Sequence, residues 1–388
     1  MAELLIHGAR GLDARGQVDD FWMLAADGVI TETGSGRVPD ATTGGTRIVD
    51  AHGHWLVPGF IDLHGHGGGG HSFDGGADDI LAVLATHRAH GTTRSVLSLV
   101  ANPLPAMLAS LERIADLSVS DPLILGSHLE GPFLSPANRG AHHPEYLREP
   151  SPALVEELLN AARGTLRQIT IAPELSGALE SVDVLVEAGV AVAIGHTTAD
   201  ERLAHEAFDR GARILTHAFN AMPGIHHRAP GPVIAAFDDL RVTLEVILDG
   251  THVHPRVARL AFGAAPGRIA LVTDAMAAAG FGDGDYTLGS LAVDVRGGLA
   301  MLRGTDTIAG STLTQDAALR TAITVAGISP ADAVAALTLT PAQALGLDHR
   351  HGLLAAGFAA DAVLLDSAWN VTGVWADGHR LQTTPSPA

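Results

Sequence analysis

The 388-residue sequence contains no cysteine. Disulfide bonds, thiolate metal ligands and a cysteine nucleophile are therefore excluded, and a reducing cytoplasm is the expected location. Basic residues are also scarce, because 24 Lys and Arg oppose 43 Asp and Glu and give a formal net charge of −19. Nucleic acids and anionic membranes bind basic surfaces, so neither is expected as a partner, whereas one local arginine can still bind a small anionic substrate.

Long apolar runs are missing too. No uninterrupted apolar run reaches the ~18 residues of a membrane-spanning helix. The first residues, MAELLIH, lack the cationic start and the long apolar stretch of a signal peptide. Hydrophobic residues nevertheless make up 46% of the chain. This content and this length suit one large α/β barrel with accessory pieces.

Short strand candidates separated by Gly, Asp and Pro clusters fill residues 1–57 and predict a small antiparallel β module. From residue 58 to 345, apolar strand candidates alternate with amphipathic helices, which indicates a parallel sheet built from βαβ units. Eight such strands close a (β/α)8 TIM-like barrel. They are predicted at residues 60–63, 92–99, 123–130, 168–174, 191–196, 212–217, 242–248 and 268–274. Strand candidates at residues 360–366 and 371–375 are expected to bring residues 346–388 back to the N-terminal part, forming a small β-sandwich domain from both chain termini.

The first barrel strand leads into the segment PGFIDLHGHGGGG at residues 58–70. Residues two apart on a strand project to the same side, so His64 and His66 are expected to point together. Two adjacent imidazoles at a strand end form a metal-binding pair. The glycines that follow carry no side chains and leave room for a ligand above the pair.

Other predicted barrel strands also end in side chains that bind metals. Barrel enzymes place their active sites at the C-terminal ends of their strands, and a set of imidazoles with carboxylates is typical of zinc sites. Such a set predicts a divalent metal, with zinc the first expectation and Fe, Mn or Co also compatible. The candidate ligands are His64, His66, Glu130, His196, His217 and Asp274.

Longer motifs surround these ligands. They are PGFIDLHGH at 58–66, HLEGPF at 128–133, GHT at 195–197, THAFNAMP at 216–223 and VTDA at 272–275. Together they resemble the amidohydrolase superfamily and, within it, the N-acetylglucosamine-6-phosphate deacetylase family. The resemblance implies a homodimeric, metal-dependent hydrolase that converts N-acetyl-D-glucosamine 6-phosphate to D-glucosamine 6-phosphate and acetate.

The resemblance also implies roles for individual residues. Glu130, His196 and His217 would hold the principal metal, and His64 and His66 a second one with Glu130 bridging. Asp274 would be the general base and acid for a metal-activated water, and a metal ligand at another stage. The implied substrate contacts are Arg228 with the amides of Asn220 and Ala221 for the phosphate, His252 for the sugar, His142 (or the adjacent His143) for the carbonyl, and Ile308 over the acetyl group. The chain has Arg-Ala-Pro-Gly at 228–231, where the family pattern often reads Arg-Glu-Pro-Gly.

Three alternatives to this function stay open on the sequence. A sibling deacetylase acting on N-acetylgalactosamine 6-phosphate differs only in contacts to the sugar ring. Another amidohydrolase, such as a cyclic amidase or a deaminase, would need no phosphate and usually carries a lysine at the position of Glu130. A barrel that has lost catalysis and serves in assembly would be expected to have lost ligands, whereas this chain keeps the whole set.

Overall fold

The computed structural model describes residues 3–38 and 45–381, so the last residues of the predicted C-terminal part lie outside the described chain. The N-terminal region forms β1 (Glu3–Asp13), β2 (Gly16–Ala26), β3 (Val29–Ser35), β4 (Arg47–Asp50) and β5 (Trp55–Pro58). Strand β1 is irregular between Ile6 and Gly11. Its first half pairs in parallel with β4 and its second half with β5. The module is thus a mixed sheet, not the purely antiparallel one expected.

The barrel strands and helices follow in alternation. They are β6 (Phe60–Asp62), the short pair β7 (Gly67–Gly68) and β8 (His71–Ser72), α1 (Ala77–Ala89), β9 (Thr92–Val100), α2 (Leu104–Ser120), β10 (Ile124–Glu130), α3 (Pro152–Ala162), β11 (Leu166–Ile171), α4 (Ala178–Glu187), β12 (Ala191–Ile194), α5 (Glu201–Asp209), β13 (Ile214–Leu215), α6 (Gly231–Asp238), β14 (Thr243–Ile247), α7 (Pro255–Ala264) and β15 (Ile269–Val272). The sheet has eight strands in the order β6-β9-β10-β11-β12-β13-β14-β15. Every neighbouring pair is parallel, which confirms the predicted (β/α)8 barrel.

The first and last barrel strands meet through side-chain and backbone bonds at and just after the ends of β6 and β15. The Thr273 hydroxyl donates to Asp62 Oδ2 at 2.7 Å, and its backbone N–H donates to Asp62 Oδ1 at 3.3 Å. One residue further on, the Asp274 N–H donates to the carbonyl of His64 at 2.8 Å. The closure therefore brings the predicted ligands after strands one and eight into direct contact.

After the barrel strands the chain forms a small antiparallel sheet and three helices. These are β16 (Gly284–Leu288), β17 (Leu291–Arg296), β18 (Leu299–Leu302), α8 (Gln315–Thr324), α9 (Pro330–Ala335) and α10 (Leu339–Ala344). The small sheet has its own apolar core, which includes Val293 and Val295. Ser311, just before helix α8, forms a parallel bridge with Ala275.

The C-terminal strands β19 (Ala362–Leu365), β20 (Val371–Ala376) and β21 (His379–Arg380) return to the N-terminal module. The combined sheet runs β21-β20-β19-β5-β1-β2-β3, with β4 on β1. Both chain ends thus build one accessory domain on the barrel, as predicted. An ion pair ties the two together, because Arg94 of β9 contacts Asp361 next to β19 at 2.7 Å. Among the described residues, no helix has both the length and the apolarity that a membrane crossing needs.

Candidate active site

The carboxylate of Glu130, the last residue of β10, lies at the centre of a buried group of imidazoles. Its Oε1 is 3.0 Å from Nε2 of His196 and 3.0 Å from Nε2 of His217. Its Oε2 is 3.0 Å from Nε2 of His66, and Nε2 of His64 lies 3.4 Å from Oε1. These side chains follow four different barrel strands, so the closed barrel brings the predicted ligands together on one carboxylate.

Asp274 adds a second carboxylate to this group. Its Oδ1 is 3.3 Å from Nε2 of His66 and 3.5 Å from Nε2 of His64. The side chain is only 12% exposed, yet it lines the open cavity above the imidazoles. A carboxylate in this place can accept a proton from a group bound in the cavity.

Three of these residues have an unusual backbone. His196, His217 and Asp274 have φ angles of 47°, 25° and 46°, in the left-handed region that non-glycine residues rarely adopt. This conformation ends the sheet hydrogen bonding before each of them, which is why β12, β13 and β15 are shorter than predicted. Backbone strain of this kind costs about 1–3 kcal/mol per residue and clusters at functional sites.

In this group, negatively charged carboxylates lie beside imidazoles, and each shifts the pKa of the other. Burial alone would raise the pKa of Glu130, but the adjacent imidazoles, His64 and His142 first, hold that pKa well below its usual range. Burial would lower the pKa of His66, but hydrogen bonds to Asp274 and Glu130 raise it to about 9. For Asp274, burial is outweighed by the charge of His64 and the hydrogen bond with His66, which lower the pKa to about 2. The carboxylates are therefore ionised at neutral pH and attract cations.

The site opens into a cavity of about 400 Å³, within the usual range for small-molecule sites. All the predicted site residues line it except His64, which is fully buried beneath, and Arg228. The lining also includes residues that the sequence interpretation did not select. These are Ala137, Asn138, Gly140, Ala141, Leu288, Asp306, Thr307 and Gly310.

His142, rather than His143, faces the ligand group. Its Nε2 is 3.3 Å from Glu130 Oε2, and its Nδ1 accepts the N–H of Ala101 at 3.3 Å. Since Nδ1 is an acceptor, the hydrogen of the neutral ring is on Nε2, the nitrogen that faces Glu130 Oε2. Burial lowers the pKa of His142 to about 4 and keeps it neutral. His143 instead caps a short turn and stacks on Tyr146 at 4.6 Å.

His252 and the Asn220–Ala221 segment form other parts of the lining. Asp249 Oδ2 accepts a hydrogen bond from His252 Nδ1 at 2.7 Å and fixes the direction of its ring. Burial would lower the pKa of His252, but this hydrogen bond and the charge of Asp249 raise it. The Asn220 N–H donates to the His217 carbonyl at 3.0 Å, so this predicted phosphate-binding amide is already engaged. The Ala221 N–H has no such bond among the described residues.

Arg228 lies apart from the cavity of its own chain. It is in an exposed loop, where its Nη1 is 2.7 Å from His227 Nε2. Within the described part of the chain, no arginine lines the cavity. The residue predicted to bind the phosphate is therefore not part of the lining of this cavity.

Glu245 is a site neighbour that the sequence interpretation missed. It is a fully buried carboxylate in the middle of β14, and its Oε2 is 3.1 Å from Nδ1 of His64. The sequence did contain an indication of this role, because a glutamate within the apolar run VTLEVIL at 242–248 is seldom fully buried without a partner.

The sequence matches the Amidohydrolase family over residues 55–381, which is most of the chain. The chain belongs to this family. The amidohydrolase is 39% identical over 379 residues to the N-acetylgalactosamine-6-phosphate deacetylase of Escherichia coli O157:H7, covering 97% of this chain and 98% of the relative. It is 38% identical over 345 residues to the N-acetylglucosamine-6-phosphate deacetylase of Homo sapiens, covering 85% of this chain and 84% of the relative.

The amidohydrolase also resembles solved structures over its whole length. The crystal structure of N-acetyl-D-glucosamine-6-phosphate deacetylase from Mycobacterium smegmatis matches it with a TM-score of 0.91 and 40% identity, covering 98% of this chain and 100% of that chain. A mutant of that enzyme has been solved in complex with N-acetyl-D-glucosamine-6-phosphate. The family and the fold predicted from the motifs are thus confirmed.

Proposed function

We propose that this amidohydrolase uses water to cleave the acetamide of N-acetyl-D-glucosamine 6-phosphate, releasing D-glucosamine 6-phosphate and acetate. The observation that carries the proposal is the convergence of four imidazoles and two carboxylates on the floor of a sugar-sized cavity. The likeness of the whole chain to deacetylases of amino-sugar phosphates supports the choice of substrate.

The donor atoms fit a divalent metal. The His196 Nδ1 donates to the carbonyl of Asn138 at 2.8 Å, so its Nε2 carries a lone pair and faces the His217 Nε2 at 3.0 Å. Two facing nitrogens around a carboxylate are satisfied by a shared cation. Glu130, His196 and His217 would hold one ion, and His64 and His66 with Glu130 a second, with zinc, iron, manganese and cobalt all compatible. A bound ion would lower the pKa of a water to near ~7 and polarise the amide carbonyl.

The reacting groups of the protein have complementary tasks. The ionised carboxylate of Asp274 takes the proton of the attacking water and returns it to the nitrogen of the leaving amine. The Nε2–H of His142 donates to the carbonyl oxygen, whose negative charge grows as the tetrahedral intermediate forms. His252, oriented by Asp249, and Ile308 hold the sugar and the acetyl group against the wall of the cavity.

The phosphate contact is proposed to come from a second subunit. The cavity lining offers no arginine of its own chain, whereas Arg228 is exposed on a loop outside it. In a homodimer, the guanidinium of Arg228 would bind the phosphate of the partner's substrate through two parallel hydrogen bonds. Substitution by alanine is expected to lower kcat/KM for the phosphorylated sugar by about 10- to 100-fold, the value of a charged hydrogen bond, while the unphosphorylated sugar changes little. Equal losses on both sugars would move the phosphate site elsewhere.

A second candidate substrate is N-acetyl-D-galactosamine 6-phosphate. It is favoured by the match to the Escherichia coli O157:H7 protein, which extends over nearly the full length of both chains. The two sugars differ only in the direction of one hydroxyl group, so the chemistry of the site is the same for both.

The experiment that tests the proposal measures acetate release from both N-acetylated sugar 6-phosphates and from unphosphorylated N-acetylglucosamine. Each assay is run before and after a chelator removes metal, and again after metal is restored. Metal-dependent release that favours N-acetyl-D-glucosamine 6-phosphate is the expected result. Preference for the galacto epimer selects the second candidate, and release from none of the three sugars by metal-loaded protein refutes both.

A further inference from the structure

Behind the imidazole of His64 lies a polar chain that crosses the interior of the barrel. His64 Nδ1 is 3.1 Å from Glu245 Oε2, and both side chains are completely buried. The other oxygen of Glu245, Oε1, accepts a hydrogen bond from Gln168 Nε2 at 2.7 Å. The chain thus links β14 and β11 to the segment after β6, directly beneath the ligand group.

The contacts of Glu245 determine which ring nitrogen of His64 carries the hydrogen. Its Oε2 also accepts the backbone N–H of His217 at 3.3 Å, so both oxygens accept hydrogen bonds. An acceptor facing Nδ1 of His64 requires the hydrogen on that nitrogen. The lone pair of the neutral ring is then on Nε2, which faces Glu130 Oε1 at 3.4 Å and His66 Nε2 at 3.2 Å.

This arrangement is specific to His64 among the ligand imidazoles. His196 is supported by a carbonyl, and the Nδ1 atoms of His66 and His217 are buried without a hydrogen-bond partner in the part of the chain that the structure describes. His128 provides a contrast, since its ring packs edge-on against His64 at 4.6 Å but uses both nitrogens for the hydroxyls of Ser98 and Thr170. Within residues 3–38 and 45–381, His64 is thus the one ligand imidazole whose Nδ1 faces a carboxylate.

We infer that Glu245 is a positioning residue of the proposed metal centre, holding His64 in the tautomer and direction that present Nε2 to a cation. A carboxylate behind a ligand imidazole increases its basicity as well as fixing its ring, and removal of such partners typically weakens metal binding about 10- to 100-fold. The inference rests on the proposed metal-dependent function. It adds that cation affinity at His64 depends on a residue that touches neither metal nor substrate.

The test compares cation affinity, not turnover. Metal-stripped parent and Glu245→Gln protein are titrated with Zn²⁺ and Co²⁺ in competition with a chromophoric chelator, and bound metal is counted by mass spectrometry. Glutamine keeps the shape but removes the charge. The expected result is that the association constant of the weakest metal-binding step is about 10- to 100-fold lower in the variant than in the parent. A cooperative thermal unfolding transition shows that the variant is folded.

Asp249→Asn is the matched control, because it alters the same kind of carboxylate–imidazole contact at His252, which is not a predicted ligand. It is expected to keep the parent's affinities. Glu245→Asp is a second variant for the case that glutamine prevents folding, since it keeps the charge but does not reach Nδ1, and it is expected to weaken binding as well.

Binding constants within about twofold of the parent for a folded Glu245 variant would overturn the inference, as would an equal loss in Asp249→Asn. Neither result would affect the proposed function, which fails separately if the metal-loaded parent releases no acetate. A parent that binds no cation would overturn both.

Discussion

Replacement of Asp274 by asparagine tests the proposed chemistry most directly. The substitution keeps the size of the side chain and one oxygen, but it removes the charge that makes Asp274 a proton acceptor. General acid–base catalysis by one positioned group contributes about 10²- to 10⁴-fold to a rate. Because Asp274 serves both the water and the leaving amine, the upper half of that range is expected. This loss corresponds to about 4–5.5 kcal/mol of transition-state stabilisation.

The assay is the steady-state rate of acetate release from the phosphorylated sugar, with bound metal counted in the same preparations. KM is expected to change little, because Asp274 contributes only a small part of the cavity wall. Asp306→Asn is the matched control, since Asp306 also lines the cavity but does not contact the ligand group. It removes the same charge and is expected to keep kcat within about tenfold of the parent, below the contribution of a positioned acid or base.

Two results would refute this reasoning. The first is turnover by Asp274→Asn within about tenfold of the parent at equal metal content, because a catalytic base contributes more than that. The second is full recovery of activity when excess metal is added to the variant. That outcome would make Asp274 a ligand alone, and the base would have to be another group in the cavity.

Three further predictions follow from the same contacts. His142→Ala is expected to lower kcat by about 10²- to 10³-fold, the usual effect of losing one oxyanion donor, whereas His143→Ala in the same assay is expected to act like the parent. Zinc affinity, measured by competition titration, is expected to be higher at pH 8 than at pH 6, because protons held on His66, with a pKa of about 9, compete with the cation. Asp361→Asn is expected to lower the free energy of unfolding by about 3 kcal/mol, because it leaves the buried Arg94 charge poorly paired. Burial would raise the pKa of Asp361, but His351 and Arg94 lower it to about 2. The stabilisation that the carboxylate provides is therefore present above pH ~4 and is lost as the pH falls toward 2. Urea unfolding between pH 3 and 7 checks both points, and an unchanged profile in the variant would contradict them.

The barrel could be predicted, and the candidate ligands could be selected, because both depend on local patterns. Apolar runs such as residues 92–99 and 242–248 are long enough to be recognised as strands, and their order in the chain is also their order in the sheet. The ligand residues stand at the ends of these runs. In a parallel barrel, that position alone brings distant residues to one face.

The conformation at those ends could not be predicted in the same way. The strands expected to reach His196, His217 and Asp274 stop two residues earlier, because these residues adopt left-handed backbone angles. His and Asp adopt left-handed angles more often than most other non-glycine residues, but the residue type alone does not show which His or Asp will do so. The conformation is maintained by tertiary bonds such as the Asp274 N–H to the His64 carbonyl.

Side-chain contacts across the barrel could not be predicted from the local sequence either. Glu245 is distant in sequence from His64, and their contact exists only because β14 and β6 belong to one closed sheet. The position of Arg228 outside its own cavity also depends on the path of a loop. The sequence predicted the type of residue in that loop, but its distance from the site is a property of the folded chain.

The cavity divides into a floor and a wall with different origins in the chain. The floor is made by side chains at the ends of barrel strands, and it contains the candidate metal ligands. Part of the wall is made by Leu288, Asp306 and Thr307, which belong to or follow the small sheet inserted after the last barrel strand. Under the proposed function, the reacting groups therefore belong to the barrel, whereas the loops and this insertion supply part of the surface that faces the rest of the sugar.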